Sequence, residues 1–239
     1  MSPEVKSRTE DALERENIGL RRLLVQAGLD ATEHEVAERL QRLMMEELHH
    51  RVKNMLASVM VITTQTLRTA ETLDQGRQAI ESRLMALGRA HDLLLQTNWA
   101  SARLADVIGS AIEPYDTNGA GRFLVEAAQI QVGSGAVLPL ALVLNELCTN
   151  AVKHGALCTP EGHVEISAAI DEGLQQFRLD WVEKGGPAVQ PPSRRSFGMR
   201  LIDSIASQLQ GNVRLQFEPA GLVCEIEIPV TSLRALHAA

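Results

Sequence analysis

Apolar positions in the first hundred residues recur at alternating steps of three and four. Met45, Leu48, Val52, Met55, Val59, Ile62 and Thr66 form one stripe; Ile80, Leu84, Leu87, His91 and Leu94 form a second. This spacing follows the α-helical repeat. It predicts two amphipathic helices, about Glu33–Thr69 and Arg77–Gln96, joined through residues 71–76. A short connection makes them an antiparallel hairpin. One hairpin covers its stripes poorly, and two make a four-helix bundle, so the pattern predicts a homodimer. Packing of the hairpin against its own chain is the alternative. Upstream, Leu13, Asn17, Leu20, Leu24 and Ala27 trace a heptad seam. They predict a coiled-coil-like helix, or a short amphipathic helix with one polar flaw, broken at Gly28. Thr32 with Glu35 has capping-box spacing for the next start.

The pattern changes near Ala100. A helix is expected over 102–114, short strands over 122–127 and 129–132, and a second helix over 138–156. Alternating runs at 163–170 and 174–183 flank Asp171-Glu172-Gly173. A Gly/Pro/Ser-rich loop covers 184–196, a helix 198–209, and a hairpin joins 213–217 to 222–228 through Pro219-Ala220-Gly221. Together these predict an α/β sandwich, a mostly antiparallel sheet with helices on one face. The expected organisation is an N-terminal helix at 1–35, a hairpin at 36–98, an α/β domain at 99–230 and a loose tail at 231–239.

Composition narrows the function classes. The 239 residues are 45% hydrophobic and 22% charged, in the range of a soluble globular protein. A net charge of −7 and 3% aromatic residues speak against nucleic-acid binding and against a polybasic membrane anchor. No run of 18 apolar residues occurs and the first residues are polar and charged, so a cytoplasmic protein with no direct membrane insertion is expected. Cys148, Cys158 and Cys224 lack zinc-site spacing and read as plain buried thiols.

There is no Walker A loop and no dinucleotide-type GxGxxG. Three other segments carry candidate chemistry. In LNELCTNAVKHGA, Glu146 and Asn150 are four apart and share a helix face, where an acid and an amide can hold hydrated magnesium. Lys153 and His154 follow, placed to meet phosphate oxygens, although His154 can equally just end the helix. In FRLDWVEKGGP, Glu183 ends a strand and can accept from an exocyclic amine, while Gly185 and Gly186 allow close backbone approach. In SFGMRLIDSIA, Gly198 precedes a helix whose N-terminus can face a phosphate. Each segment alone is also an ordinary capped helix, turn or helix start. Their order within one small domain is the signal. Lys184, Arg194, Arg195 and Arg200 lie near the loop and can pair with a transferring phosphate or simply be solvated.

That order, NELCTNAVKHGA then WVEKGGP then SFGMRLI, resembles the ATP-binding domain shared by histidine kinases, gyrase and MutL. EELHHRVKNMLA resembles the phosphoacceptor segment of HWE-type sensor histidine kinases, RLMALGRAHDLL their second hairpin helix, and WVE their tryptophan-x-glutamate signature. The resemblance covers about residues 40–230. It implies His50 as the phosphorylated histidine and Asn150 as the Mg²⁺ ligand. It implies Glu146 as an acid on the catalytic face, Glu183 as the adenine-binding acid, and Gly185, Gly186 and Gly198 as lid glycines. It also implies ATP and Mg²⁺ as cofactors, a response regulator receiver domain as partner, and an upstream sensor. Asn145 stands where the name-giving histidine stands, as in a closely related kinase group, and Ser196 stands where a glycine is usual.

Helical spacing puts His50 on the outer side of the Leu48–Val52–Met55 seam and His49 nearer to it, so His50 is the better acceptor. A neutral imidazole is available near pH 7. Arg51 and Lys53 flank it, and Glu46, one turn before, or Glu146 can take its proton. His91, on an apolar stripe, is expected in the core, and nothing singles out His34, His163 or His237. The implied activity is ATP-dependent autophosphorylation of His50 followed by transfer to an aspartate. The alternatives are an ATP-binding-deficient phosphotransfer scaffold and an anti-sigma-type serine kinase.

Overall fold

The computed structural model describes residues 3–70, 72–97, 99–116, 121–189 and 197–235. The chain divides into two units, residues 1–57 and 58–238, with the break inside one long helix. That helix, α1, runs unbroken from Pro3 to Thr69. The predicted break at Gly28 is therefore corrected. A glycine costs a helix interior about 1 kcal/mol, too little to end a run that is rich in Leu, Glu and Arg and has no proline after Pro3. The side chains of Leu13, Asn17, Leu24, Ala27, Thr32 and Arg51 lie outside the described set, as does His237.

In the first unit α1 exposes Leu40, Leu43, Met44, Leu48 and Val52. In the second unit its last turns change character: Ile62 and Thr66 are buried. Helix α2 (Leu73–Gln96) starts four residues earlier than expected, because the Thr72 hydroxyl caps it by accepting from Gln75 N–H at 3.2 Å. Its buried face is Arg83, Ala86, Leu87, Ala90 and Leu94. Of the predicted stripe, Leu87 and Leu94 are buried and Ile80, Leu84 and His91 only half-buried. His91 meets Trp99 edge-to-face, with ring centroids 4.5 Å apart. This helix packs on the α/β layer of its own chain.

The layer contains β1 (Ser101–Arg103), α3 (Leu104–Ile112), β2 (Phe123–Ala127), β3 (Gln131–Gly133), α4 (Ser134–Lys153), β4 (His163–Asp171), β5 (Gln176–Lys184), α5 (Phe197–Gln208), β6 (Asn212–Glu218), β7 (Gly221–Pro229) and α6 (Val230–Leu233). The main sheet has the order β2-β4-β5-β7-β6 and is antiparallel except at β2–β4. A small second sheet pairs β1 with β3. Period-two alternation sends Val164, Ile166, Phe177, Leu179, Trp181, Cys224 and Ile226 inward, each at most 2% exposed. The β4–β5 turn lies at residues 172–175, held by the Asp171 carboxylate, which accepts from Gly173 and Leu174 N–H.

Helix α4 begins one turn before the predicted start. Pro139 lies in its second turn. The helix is apolar nearly all round because neighbours cover it on most sides. It is long and apolar enough to cross a membrane by length and composition, and 72% of that stretch is buried in the fold. The predicted loose tail is corrected in part. Leu233 is fully buried, and Ala235 carbonyl accepts from Gly135 N–H at 3.1 Å, so the chain is docked to there. Cys148 and Cys224 are buried as expected, which raises both thiol pKa values, that of Cys224 to about 12, but Cys158 is exposed.

Candidate functional site

A cavity of about 380 Å³ opens between α4, α5 and the β6–β7 hairpin. Asn150, His154 and Glu183 supply its polar side chains; Leu147, Met199, Ile202 and Phe217 are among its apolar walls. Such a lining suits a flat apolar ring with a few polar handles.

Glu183 closes β5 and is 2% exposed. Its Oε2 accepts from Ala156 N–H at 2.8 Å and its Oε1 from Trp181 Nε1–H at 3.2 Å. Burial raises its pKa above the ordinary glutamate value, and the two donors oppose that rise. Gly155, which the sequence reading passed over, is what lets the carboxylate in. A Cβ there would collide with Glu183 Oε2. The available signal was its position directly after His154, at the end of α4.

Asn150 is half-buried and faces the cavity one turn after Glu146. Glu146 does not line the cavity among the described residues. It is 5% exposed and forms a two-pronged ion pair with Arg83 of α2. Arg83 Nε donates to Oε1 at 2.7 Å and Nη2 to Oε2 at 2.9 Å. Nη1 donates to Thr66 Oγ1 at 2.7 Å. Gly198, at the start of α5, closes this corner. A Cβ there would lie 2.6 Å from Glu146 Oε2 and 3.8 Å from Asn150 Nδ2. Arg83 opens the RLMALGRAHDLL segment but was given no role of its own, because its partner is 63 positions away.

Asn145 points away from the cavity residues. It is 1% exposed, donates from Nδ2 to Ser82 Oγ at 3.1 Å and accepts from Tyr115 O–H at 3.1 Å. Residue 145 thus fastens α4 to α2 and to the end of α3. Lys153 is exposed and Lys184 is held by Glu165 at 2.7 Å on the sheet. Gly185 takes a left-handed turn at φ +73°, and Gly186 packs on Ala156 where a Cβ would not fit. Arg194, Arg195 and Ser196 lie outside the described residues.

On α1, His49 and His50 are both exposed, so exposure does not separate them. His50 has a partner among the described residues: Asn54 Nδ2 lies 3.4 Å from its Nδ1. Asn54 sits one turn on, at a spacing that brings the two side chains together.

Residues 47–129 match the family of HWE histidine kinases, and residues 112–224 the histidine kinase-like ATPase domain. Blue-light-activated histidine kinases of Brucella ovis and Brucella anthropi are each 37% identical to the chain, over 84% and 85% of its length and 42% of theirs. The chain thus spans less than half the length of these curated relatives. Among solved structures, the blue-light activated histidine kinase EL346 of Erythrobacter litoralis aligns with a TM-score of 0.60 at 24% identity, over 80% of this chain and 60% of that one. The histidine kinase domain of the same protein gives 0.54 at 17% identity, over 76% of this chain and all of that one. At those identities the likeness shows the fold alone.

Proposed function

We propose that this chain, whose residues 47–129 match the HWE histidine kinases and residues 112–224 the histidine kinase-like ATPase domain, is a kinase catalytic core that phosphorylates its own His50 from Mg-ATP and passes the phosphoryl group to an aspartate on a response regulator receiver domain in the cytoplasm. The observation that carries this reading is one cavity holding both Asn150 and a buried Glu183 between apolar walls.

The residues present fit the nucleotide. Glu183 can accept from the adenine amino group on the lone pairs that Ala156 and Trp181 leave free, and the apolar walls cover the ring. Asn150 offers one amide oxygen to Mg²⁺. Among the described residues no cluster of three or more His, Cys, Asp or Glu forms a protein cage. Mg²⁺ is a hard ion that keeps several water and phosphate ligands of its own. When bound with ATP it supplies charge neutralisation of the phosphates.

His50 is the acceptor. The attacking nitrogen is the one that keeps its in-plane lone pair, with the ring proton on the other nitrogen. Asn54, 3.4 Å from Nδ1, steadies the ring, and Glu46, exposed one turn before, takes the proton from the non-attacking nitrogen as the N–P bond forms. Catalysis then rests on bringing the imidazole in line with the γ-phosphate and on stabilising charge. The exposed apolar residues of α1, Leu40, Leu43, Met44, Leu48 and Val52, form the surface for a second copy in a four-helix bundle.

The test is labelling with γ-labelled ATP and Mg²⁺. The wild type takes acid-labile, alkali-stable label; His50→Gln and Asn150→Ala each lose it entirely. Label that survives His50→Gln moves the acceptor, to His49 first. A folded wild type that neither binds ATP nor takes label defeats the kinase reading.

A further inference from the structure

Glu146 is the one acid that α4 carries on the Asn150 side of the site, and it is fully engaged by Arg83. A free carboxylate beside a bound γ-phosphate is a general base for water. In that reaction the water oxygen bonds to the γ-phosphorus, the bond to the β,γ-bridging oxygen breaks, ADP leaves, and the water proton goes to the carboxylate. Here the guanidinium occupies both carboxylate oxygens, at 2.7 and 2.9 Å, and turns them toward α2. Arg83 is itself held by Thr66, whose hydroxyl donates to Ile62 carbonyl at 2.5 Å. The corner is not remote from the nucleotide. Asn150 and Met199 line the cavity, and Gly198, next to Met199, abuts Glu146 Oε2.

We propose that Arg83 is a positioning residue that sets acceptor specificity: by holding Glu146 against α2 it denies the γ-phosphate a base for water and reserves transfer for the imidazole. The inference rests on the kinase reading above. Arg83 touches neither nucleotide nor acceptor; it acts through Glu146. A merely structural pair, fastening α2 to α4, predicts loss of stability on its removal and no new activity.

The experiment uses the full chain with His50→Gln as background, so that water is the sole acceptor measured, and reads release of inorganic phosphate from Mg-ATP. Adding Arg83→Met is expected to raise hydrolysis about tenfold, a fraction of what a well-placed general base supplies. Adding Glu146→Gln as well should return it to background. Arg83→Lys, which keeps the charge but grips one oxygen, should give a smaller rise and serves where Arg83→Met does not fold. Folded variants that bind ATP with no rise, or a rise that survives Glu146→Gln, overturn the Arg83 role and leave the kinase reading intact. A folded background protein that binds no ATP overturns both.

Discussion

The site has two buried glutamates, and they are kept in opposite ways. Glu146 faces a guanidinium and shares two charged hydrogen bonds with it. Among the described residues Glu183 has only neutral donors, a backbone N–H and an indole N–H, and its proton affinity is raised by burial. A paired buried charge is fixed in place and spent. An unpaired one keeps lone pairs and an unmet demand for positive or hydrogen-bonding partners, which is what a binding residue requires. The contrast separates a carboxylate locked into an ion pair between helices from one that keeps acceptor capacity beside a cavity.

The largest expected effect comes from breaking the paired corner. Arg83→Met leaves Glu146 buried without its counter-charge and should cost about 3–5 kcal/mol of stability. Replacing both, as Arg83→Met with Glu146→Leu, should recover most of that loss, because the desolvation cost of both ions goes with them. Denaturant melts of the two variants check this. A double variant no more stable than the single one would show that packing of the Arg83 stem, not the charge, is what matters.

The unpaired corner should respond less to a steric change. At Gly155 the backbone φ of −109° suits any residue, so Gly155→Ala adds only a methyl group, and that methyl lands on Glu183 Oε2. Overpacking of this kind costs about 1–3 kcal/mol. Nucleotide affinity should fall as the carboxylate is pushed from its place, while the Arg83 corner is untouched. Calorimetric titration with ATP alongside a melt reads both. Affinity that stays at the wild-type level would remove Glu183 from the nucleotide site.

These two corners also mark how far the sequence could be read. Helices and strands followed from period: the end of α1 at Thr69 and the strands β4, β5 and β7 fell within two residues of expectation, because alternation and helical stripes are local properties. The Asn150–Glu183 corner was legible because motif order stands in for three-dimensional proximity. The Arg83–Glu146 corner was not. A hydrophobic stripe search scores an arginine as outward, and nothing near Arg83 reveals a partner on another helix. The buried face of α2 was therefore drawn through Leu84 and His91, whereas the face that is buried carries Arg83, Ala86 and Ala90. Gly28 misled in the other direction, since a local helix breaker was outweighed by its neighbours.

The smallest expected effect concerns pH and belongs to Glu183 alone. Its folded pKa is raised above the ordinary 4.5, so the folded state binds its proton more tightly than the unfolded chain does. Over the interval between those two values the unfolded chain holds fewer protons, and stability contributed at this position falls as pH rises. Glu183→Gln has no such proton. The stability difference between the wild type and Glu183→Gln, without nucleotide, should therefore shift against the wild type as pH climbs from 4.5 through the raised value and be constant above it. Nucleotide affinity should move the opposite way, since the ionised carboxylate is the better acceptor for an amino group; it should weaken on acidification in the wild type and be flatter in Glu183→Gln. Melts and titrations across that interval check both signs. If the stability difference ran the other way, Glu183 would be a charge stabilised by the fold, and its contrast with the Arg83-paired Glu146 would collapse.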